Sequence, residues 1–249
     1  AITNQKGGVG KTTTAVNLAA CLAAEGRRVL LIDLDPQGNA TTGAGITKKE
    51  ALPTVYQLLI GAATLAEVCI QTDFGFDVLP ANRELAGAEV ELIELDQREY
   101  RLKNALQAGH ATYDFILIDC PPALNMLTVN GLVAADSVLI PMQCEYYALE
   151  GLSDLVETLR KVRAHLNSRL EIEGLLRTMY NPQSTLTQQV SGELESHFGS
   201  KVYQTIVPRN VRLAEAPSYG KPVIAFDKSS KGAQAYSALA KEILERVAP

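Results

Sequence analysis

The residues best suited to chemistry stand near the start of the chain. The run KGGVGKTT, Lys6 to Thr13, sets Gly7, Gly8, Val9 and Gly10 between two lysines and ends in two hydroxyls, Thr12 and Thr13. Glycines let the backbone curl so that successive N–H groups converge on an anion. Lys11 adds positive charge for the β- and γ-phosphates of a nucleoside triphosphate, and the Thr12 hydroxyl is placed to ligate Mg²⁺. The stretch that follows, TTAVNLAACLAAEG, has helical periodicity, so the phosphates would sit at a helix N-terminus. The pattern departs from G-x-x-x-x-G-K-[ST] in one place. The glycine required five residues before Gly10 is Gln5, and Lys6 stands directly before the glycine pair. Two lysines so close repel one another unless phosphate neutralises both; otherwise Lys6 is a solvated loop residue.

Hydrolysis also needs a ligated metal and an oriented water. Two apolar runs end in acids that could supply them: LLIDLDPQGN, with Asp33 and Asp35, and FILIDCPP, with Asp119. In an open parallel sheet, ligands bind beyond the carboxyl ends of the strands. One such aspartate is as readily a cap or turn residue, but three beside a P-loop form a hydrolytic set. In that set Asp119 holds Mg²⁺. Gln37 and Asn39 remain readable as turn residues.

These positions must be carried by alternating strands and helices. Strands are expected at Ala1–Asn4, Arg28–Asp33, Phe76–Pro80, Asp114–Asp119, Ser137–Pro141, Glu171–Met179 and Lys201–Ile206, several of them continuously apolar, as parallel strands covered on both faces should be. Helices are expected at 12–25, 55–59, 98–108, 126–134, 149–165, 185–197 and 232–247. The fold class is therefore α/β, a mostly parallel twisted sheet flanked by helices on both faces, in a single P-loop domain over 1–249. The Gly/Thr-rich stretch Gln37–Thr47 reads as a mobile active-site loop. The chain opens inside an apolar strand, so a few residues are expected to precede Ala1.

Composition sets bounds. The 249 residues are 47% hydrophobic and 20% charged, ordinary for a protein with a sizeable core, and no apolar run is long enough to span a bilayer. Four cysteines without a C-x-x-C pair read as reduced thiols without a metal role, and a cytoplasmic location is expected. The net charge of −5 is unevenly spread: residues 201–249 carry eight Lys/Arg against four acids. This permits a basic face on an acidic protein, or simply scattered solvated lysines.

KGGVGKTT resembles the deviant Walker A motif of the ParA/MinD/NifH superfamily. DLDPQGN at 33–39 and DCPP at 119–122 resemble its switches I and II. QCEYYALEGL at 143–152 and VPRNVRLAEAPSYGKP at 207–222 are similar to the chromosomal and small-plasmid ParA (Soj) branch, so the resemblance covers nearly the whole chain. It implies a DNA-partition ATPase with ATP and Mg²⁺ as cofactors. ATP would form a nucleotide-sandwich homodimer, which would bind double-stranded DNA without sequence preference and associate with the nucleoid. A ParB/Spo0J-type partner would stimulate hydrolysis. By the same resemblance Lys6 reaches the partner subunit's nucleotide, Gly7 faces that subunit, Asp35 orients the attacking water and Asp33 supports the metal shell. Pro208 and Asn210 fall in the adenine pocket, and Arg212, with Lys201 in the same segment, contacts DNA. Gln183 stands where some relatives have arginine, which removes one DNA contact. Arg212 is otherwise a surface ion pair with Glu215 at i+3.

Three other readings share the P-loop. A membrane-cycling ATPase like MinD needs a basic, bulky amphipathic C-terminal helix, and YSALAKEILERVAP reads instead as a docked terminal helix, so no stable membrane association is expected. A reductase of the nitrogenase iron-protein type needs cluster-bridging cysteines, for which Cys120 and Cys144 lack a pattern. A ParA-like positioner of protein cargo would share every ATPase residue.

Overall fold

A computed structural model describes residues 1–107 and 109–247; Ala108, the end of one expected helix, and residues 248–249 lie outside the described residues. Among the described residues seven strands form: β1 (Val29–Asp33), β2 (Ile70–Gln71), β3 (Asp77–Leu79), β4 (Phe115–Asp119), β5 (Ser137–Met142), β6 (Glu171–Tyr180) and β7 (Val202–Pro208). They pair in the orders β2-β3-β1-β4 and β5-β6-β7. Residues 1–3 join the two groups. Ile2 N–H donates to Ile118 O at 2.8 Å, and Thr3 N–H donates to Leu139 O at 3.2 Å. The result is one sheet, parallel except for β2, with the chain start at its centre.

The apolar runs split between two faces, as the period-two alternation of a strand requires. Leu30 and Ile32 of β1 join one buried cluster with helices Met126–Ala134 and Ala148–His165, while Val29 and Leu31 join the other with helix Lys11–Ala24. Helix Lys231–Val247 buries Ala233, Tyr236, Leu239, Ala240 and Ile243 in that second cluster against Lys11–Ala24 and β7, so its apolar stripe is already covered within the chain. No helix among the described residues is long and apolar enough to cross a membrane.

Three expectations are corrected. Ala1–Asn4 is not a full strand: only Ile2 bridges, to Asp119 and Leu139. The stretch Gln37–Thr47 is not irregular: it contains helix Asn39–Gly43, with Ala40 and Thr41 fully buried. The missed antiparallel strand β2 is two residues long, and its return to β3 is tied by the Thr72 hydroxyl, which donates to Phe76 O at 2.6 Å.

Candidate functional site

The P-loop crosses the carboxyl end of the sheet. Gly8 and Gly10 have φ of 74° and 90°, left-handed conformations that favour glycine, and Gly10 opens helix Lys11–Ala24. Val9 is buried, and its carbonyl accepts the Thr178 hydroxyl of β6 at 2.8 Å. Lys11 is 7% exposed and donates from Nζ to Lys6 O at 2.9 Å, bridging the two ends of the loop. Burial pulls its pKa down, partly offset by Asp119 and Asp35. Thr12 and Thr13 follow in the first turn of the helix.

Lys6 behaves differently. Its side chain is about half exposed and turns away from its own loop to Glu145, with Nζ 2.5 Å from Oε2. At Gly7, which has no positive φ, an added Cβ would meet nothing within 4 Å. Nothing inside the chain therefore requires glycine there.

The acids converge from two adjacent strand ends. β1 and β4 pair in parallel with Asp33 opposite Asp119, and both are fully buried. Asp33 is saturated by its own loop: Thr41 N–H and hydroxyl donate to Oδ2 at 2.8 and 2.7 Å, and Asp35 N–H donates to Oδ1 at 3.1 Å. Burial raises its pKa to about 6 against those donors. The Thr41 oxygen in turn accepts Ala81 N–H at 2.9 Å, which fastens the loop to the segment after β3. Asp119 has no such support. Neither carboxylate oxygen has a hydrogen-bond partner among the described residues. Burial first, then Asp33, push its pKa well above the carboxylate range; Thr12 stands close enough to lower it, though not in hydrogen-bond geometry, and Lys11 also opposes the rise. Asp35 leaves this buried pair and accepts Gln37 N–H on Oδ1 at 2.9 Å.

An orphaned buried carboxylate beside a threonine hydroxyl is an oxygen-only donor set. It fits Mg²⁺, which keeps several waters and phosphate oxygens as its other ligands instead of a full protein cage. No group of three or more His, Cys, Asp or Glu among the described residues forms such a cage.

Pro208 ends β7 opposite Tyr180 of β6, on the same edge as the P-loop. Asn210 caps helix Val211–Glu215, accepting Leu213 N–H at 3.3 Å. Arg212 forms the ion pair with Glu215 given as its alternative reading, at 2.8 Å, and a second with Asp227 at 3.3 Å, which lies too far along the sequence for any local signal. The structure does not bring Lys201 to Arg212. Lys201 precedes β7 and Arg212 follows it, so the strand's seven residues separate them by roughly 20 Å. Besides Thr41 and Asp227, sequence reasoning missed Thr178 as a P-loop anchor. Glu145, the partner of Lys6, lies inside QCEYYALEGL.

A family model described as an AAA domain matches residues 1–172. The sporulation initiation inhibitor protein Soj of Bacillus subtilis is 57% identical over 98% of this chain and 96% of its own length. The chromosome partitioning protein ParA of Caulobacter vibrioides is 52% identical over 99% of this chain and 93% of its own. Among solved structures, cobyrinic acid a,c-diamide synthase from Mycobacterium smegmatis, with an ATP analogue and magnesium bound, superposes with a TM-score of 0.86 at 38% identity over 98% of this chain and 93% of that one.

The buried, unpartnered Asp119 predicts a trade of stability for function. Asp119→Asn should stabilise the ligand-free protein at pH 7.5 by on the order of 1–3 kcal/mol, read as a higher denaturation midpoint. Because the folded-state pKa is raised, the penalty of the charged form is present at high pH and relieved as pH falls toward the ordinary carboxylate range. The variant's advantage should shrink on acidification. A variant less stable than the parent at pH 7.5 would show that Asp119 is compensated.

Proposed function

The chain belongs to the ParA/Soj family of ATPases, and we propose that it is an ATP-driven switch for DNA partition, dimerising on ATP, binding duplex DNA without sequence preference and hydrolysing ATP slowly. A ParB/Spo0J-type partner accelerates that hydrolysis and resets the cycle. The protein works in the cytoplasm and on the nucleoid.

The observation that carries this reading is the outer edge of the P-loop. Lys11 closes the loop from inside, while Lys6 projects outward and Gly7 presents bare backbone with no internal reason to be glycine. A second subunit apposed on this edge would bring a second Lys6 toward the phosphates and meet no side chain at position 7. Thr12 and Asp119 would hold Mg²⁺, which when bound neutralises charge on the β- and γ-phosphates. The P-loop amides and Lys11 bind and orient the phosphates, and Lys6 adds charge from across the interface. Asp35 positions the attacking water. Asp33 acts through the loop it orders, by way of Thr41 and the Asp35 amide. Pro208 and Asn210 border the adenine. Arg212 exchanges its partly exposed partners Glu215 and Asp227 for DNA phosphates, an exchange that surface ion pairs oppose only weakly. The docked helix Lys231–Val247 favours this reading over a membrane-cycling one.

Gly7→Val should bind ATP yet stay monomeric on sizing with ATP; an ATP-dependent dimer would remove Gly7 from the interface. Asp35→Ala should still dimerise, with turnover at least tenfold lower, and normal turnover would exclude it from positioning water. Arg212→Glu should dimerise with ATP but bind duplex DNA at least tenfold more weakly. Unchanged affinity would move the DNA face elsewhere.

A further inference from the structure

Beside the Asp35 loop lies an open groove of about 1300 Å³ that no role described so far uses. One wall is the segment after helix Asn39–Gly43, and the other is the turn at Tyr219–Lys221, downstream of Arg212. The two walls meet at a pair of glycines: an added Cβ on Gly45 would lie 3.1 Å from Gly220 O, and one on Gly220 would lie 3.3 Å from Gly45 Cα.

Four cations line the groove: Lys48, Lys49, Arg83 and Lys221. Two acids, Asp73 and Glu84, also line it, so positive charge is in excess. Among the described residues the side chains of Lys49, Arg83 and Lys221 make no hydrogen bond or ion pair, a condition they share with cations elsewhere such as Arg160 and Lys201; what distinguishes them is that they converge on one cleft. Lys48 donates to Gln37 O at 2.6 Å, and Gln37 N–H donates to Asp35 Oδ1 at 2.9 Å. Tyr219 is 66% exposed at the rim, its ring held on Phe226 at 4.9 Å between centroids.

We propose that this groove binds the phosphodiester backbone of DNA, as an extension of the surface that begins at Arg212. Unpaired cations in a cleft focus positive potential and suit an evenly spaced polyanion. Phosphate contacts of this kind carry affinity without sequence information. The contact is also tied to the nucleotide. Asp35, Gln37 and Lys48 form one hydrogen-bonded relay, so a loop that shifts Asp35 repositions Lys48 in the groove. This inference rests on the DNA-binding reading above and adds a second contact surface to it.

The test measures binding of an unrelated duplex to the full chain with ATP, across a salt series, for the parent and two charge-matched doubles. Lys49→Glu with Lys221→Glu should bind at least tenfold more weakly, with the log–log salt slope shallower by about two. Arg160→Glu with Lys161→Glu, on helix Ala148–His165, controls for net charge and should lose less than about threefold. Lys49→Arg with Lys221→Arg should retain the parent's affinity, and ATP-dependent dimerisation of each variant checks folding. A groove double that binds no more weakly than the control overturns the proposal. So does one that matches the control on DNA but loses a poly-glutamate probe that the parent binds, which would assign the groove to acidic polypeptides. If the parent itself fails to bind DNA, the partition reading falls along with the groove. A failure confined to the groove double leaves that reading standing on Arg212.

Discussion

Two carboxylates meet in register at the carboxyl ends of adjacent parallel strands, both fully buried, and the rest of the site follows from the cost of that shared burial. Burial raises both pKa values, that of Asp119 further through Asp33, and folding supplies unequal relief. Asp33 receives three donors from its own loop, whereas Asp119 receives none. The sheet thus leaves one orphaned anion facing the P-loop, with Lys11 and Thr12 beside it. A site held in this condition favours a cation and the phosphates that accompany one. Binding there relieves an electrostatic cost carried by the free protein.

The way Asp33 is satisfied also explains how the site reaches outward. Its partner Thr41 is bonded to Ala81, beyond β3, so the loop is fixed at both ends. Asp35 lies between these anchors and passes its hydrogen bonding through Gln37 to Lys48. On the other side of the P-loop, Lys6 reaches Glu145 after β5. The residues proposed to act on the nucleotide are in this way connected to surfaces remote from the P-loop.

Much of this was legible in the sequence. The run VLLID marked a fully covered parallel strand, because burial on both faces leaves no polar position, and FILID marked its neighbour although Phe115, Ile116 and Leu117 are only partly buried; each closing aspartate stood out against its run. Helix Met126–Ala134 was read to the residue. Helix Asn39–Gly43 was not, because its composition, NATTG, has little intrinsic helical preference. Tertiary bonds from Thr41 to Asp33 and Ala81 impose it. The second partner of Arg212 was out of reach for a related reason, since Asp227 approaches only after the chain has passed through two further short helices. Lys201 and Arg212 look like one basic segment in the sequence, but β7 runs between them.

The central claim is that nucleotide state controls affinity for DNA. The direct measurement is binding of duplexes of unrelated sequence to the unmodified chain with ATP, with ADP and with no nucleotide, at low and moderate salt. The account predicts binding with ATP alone, weakened by salt and indifferent to sequence. Equal binding in all three states, or none in any while ATP still drives dimerisation, would contradict it.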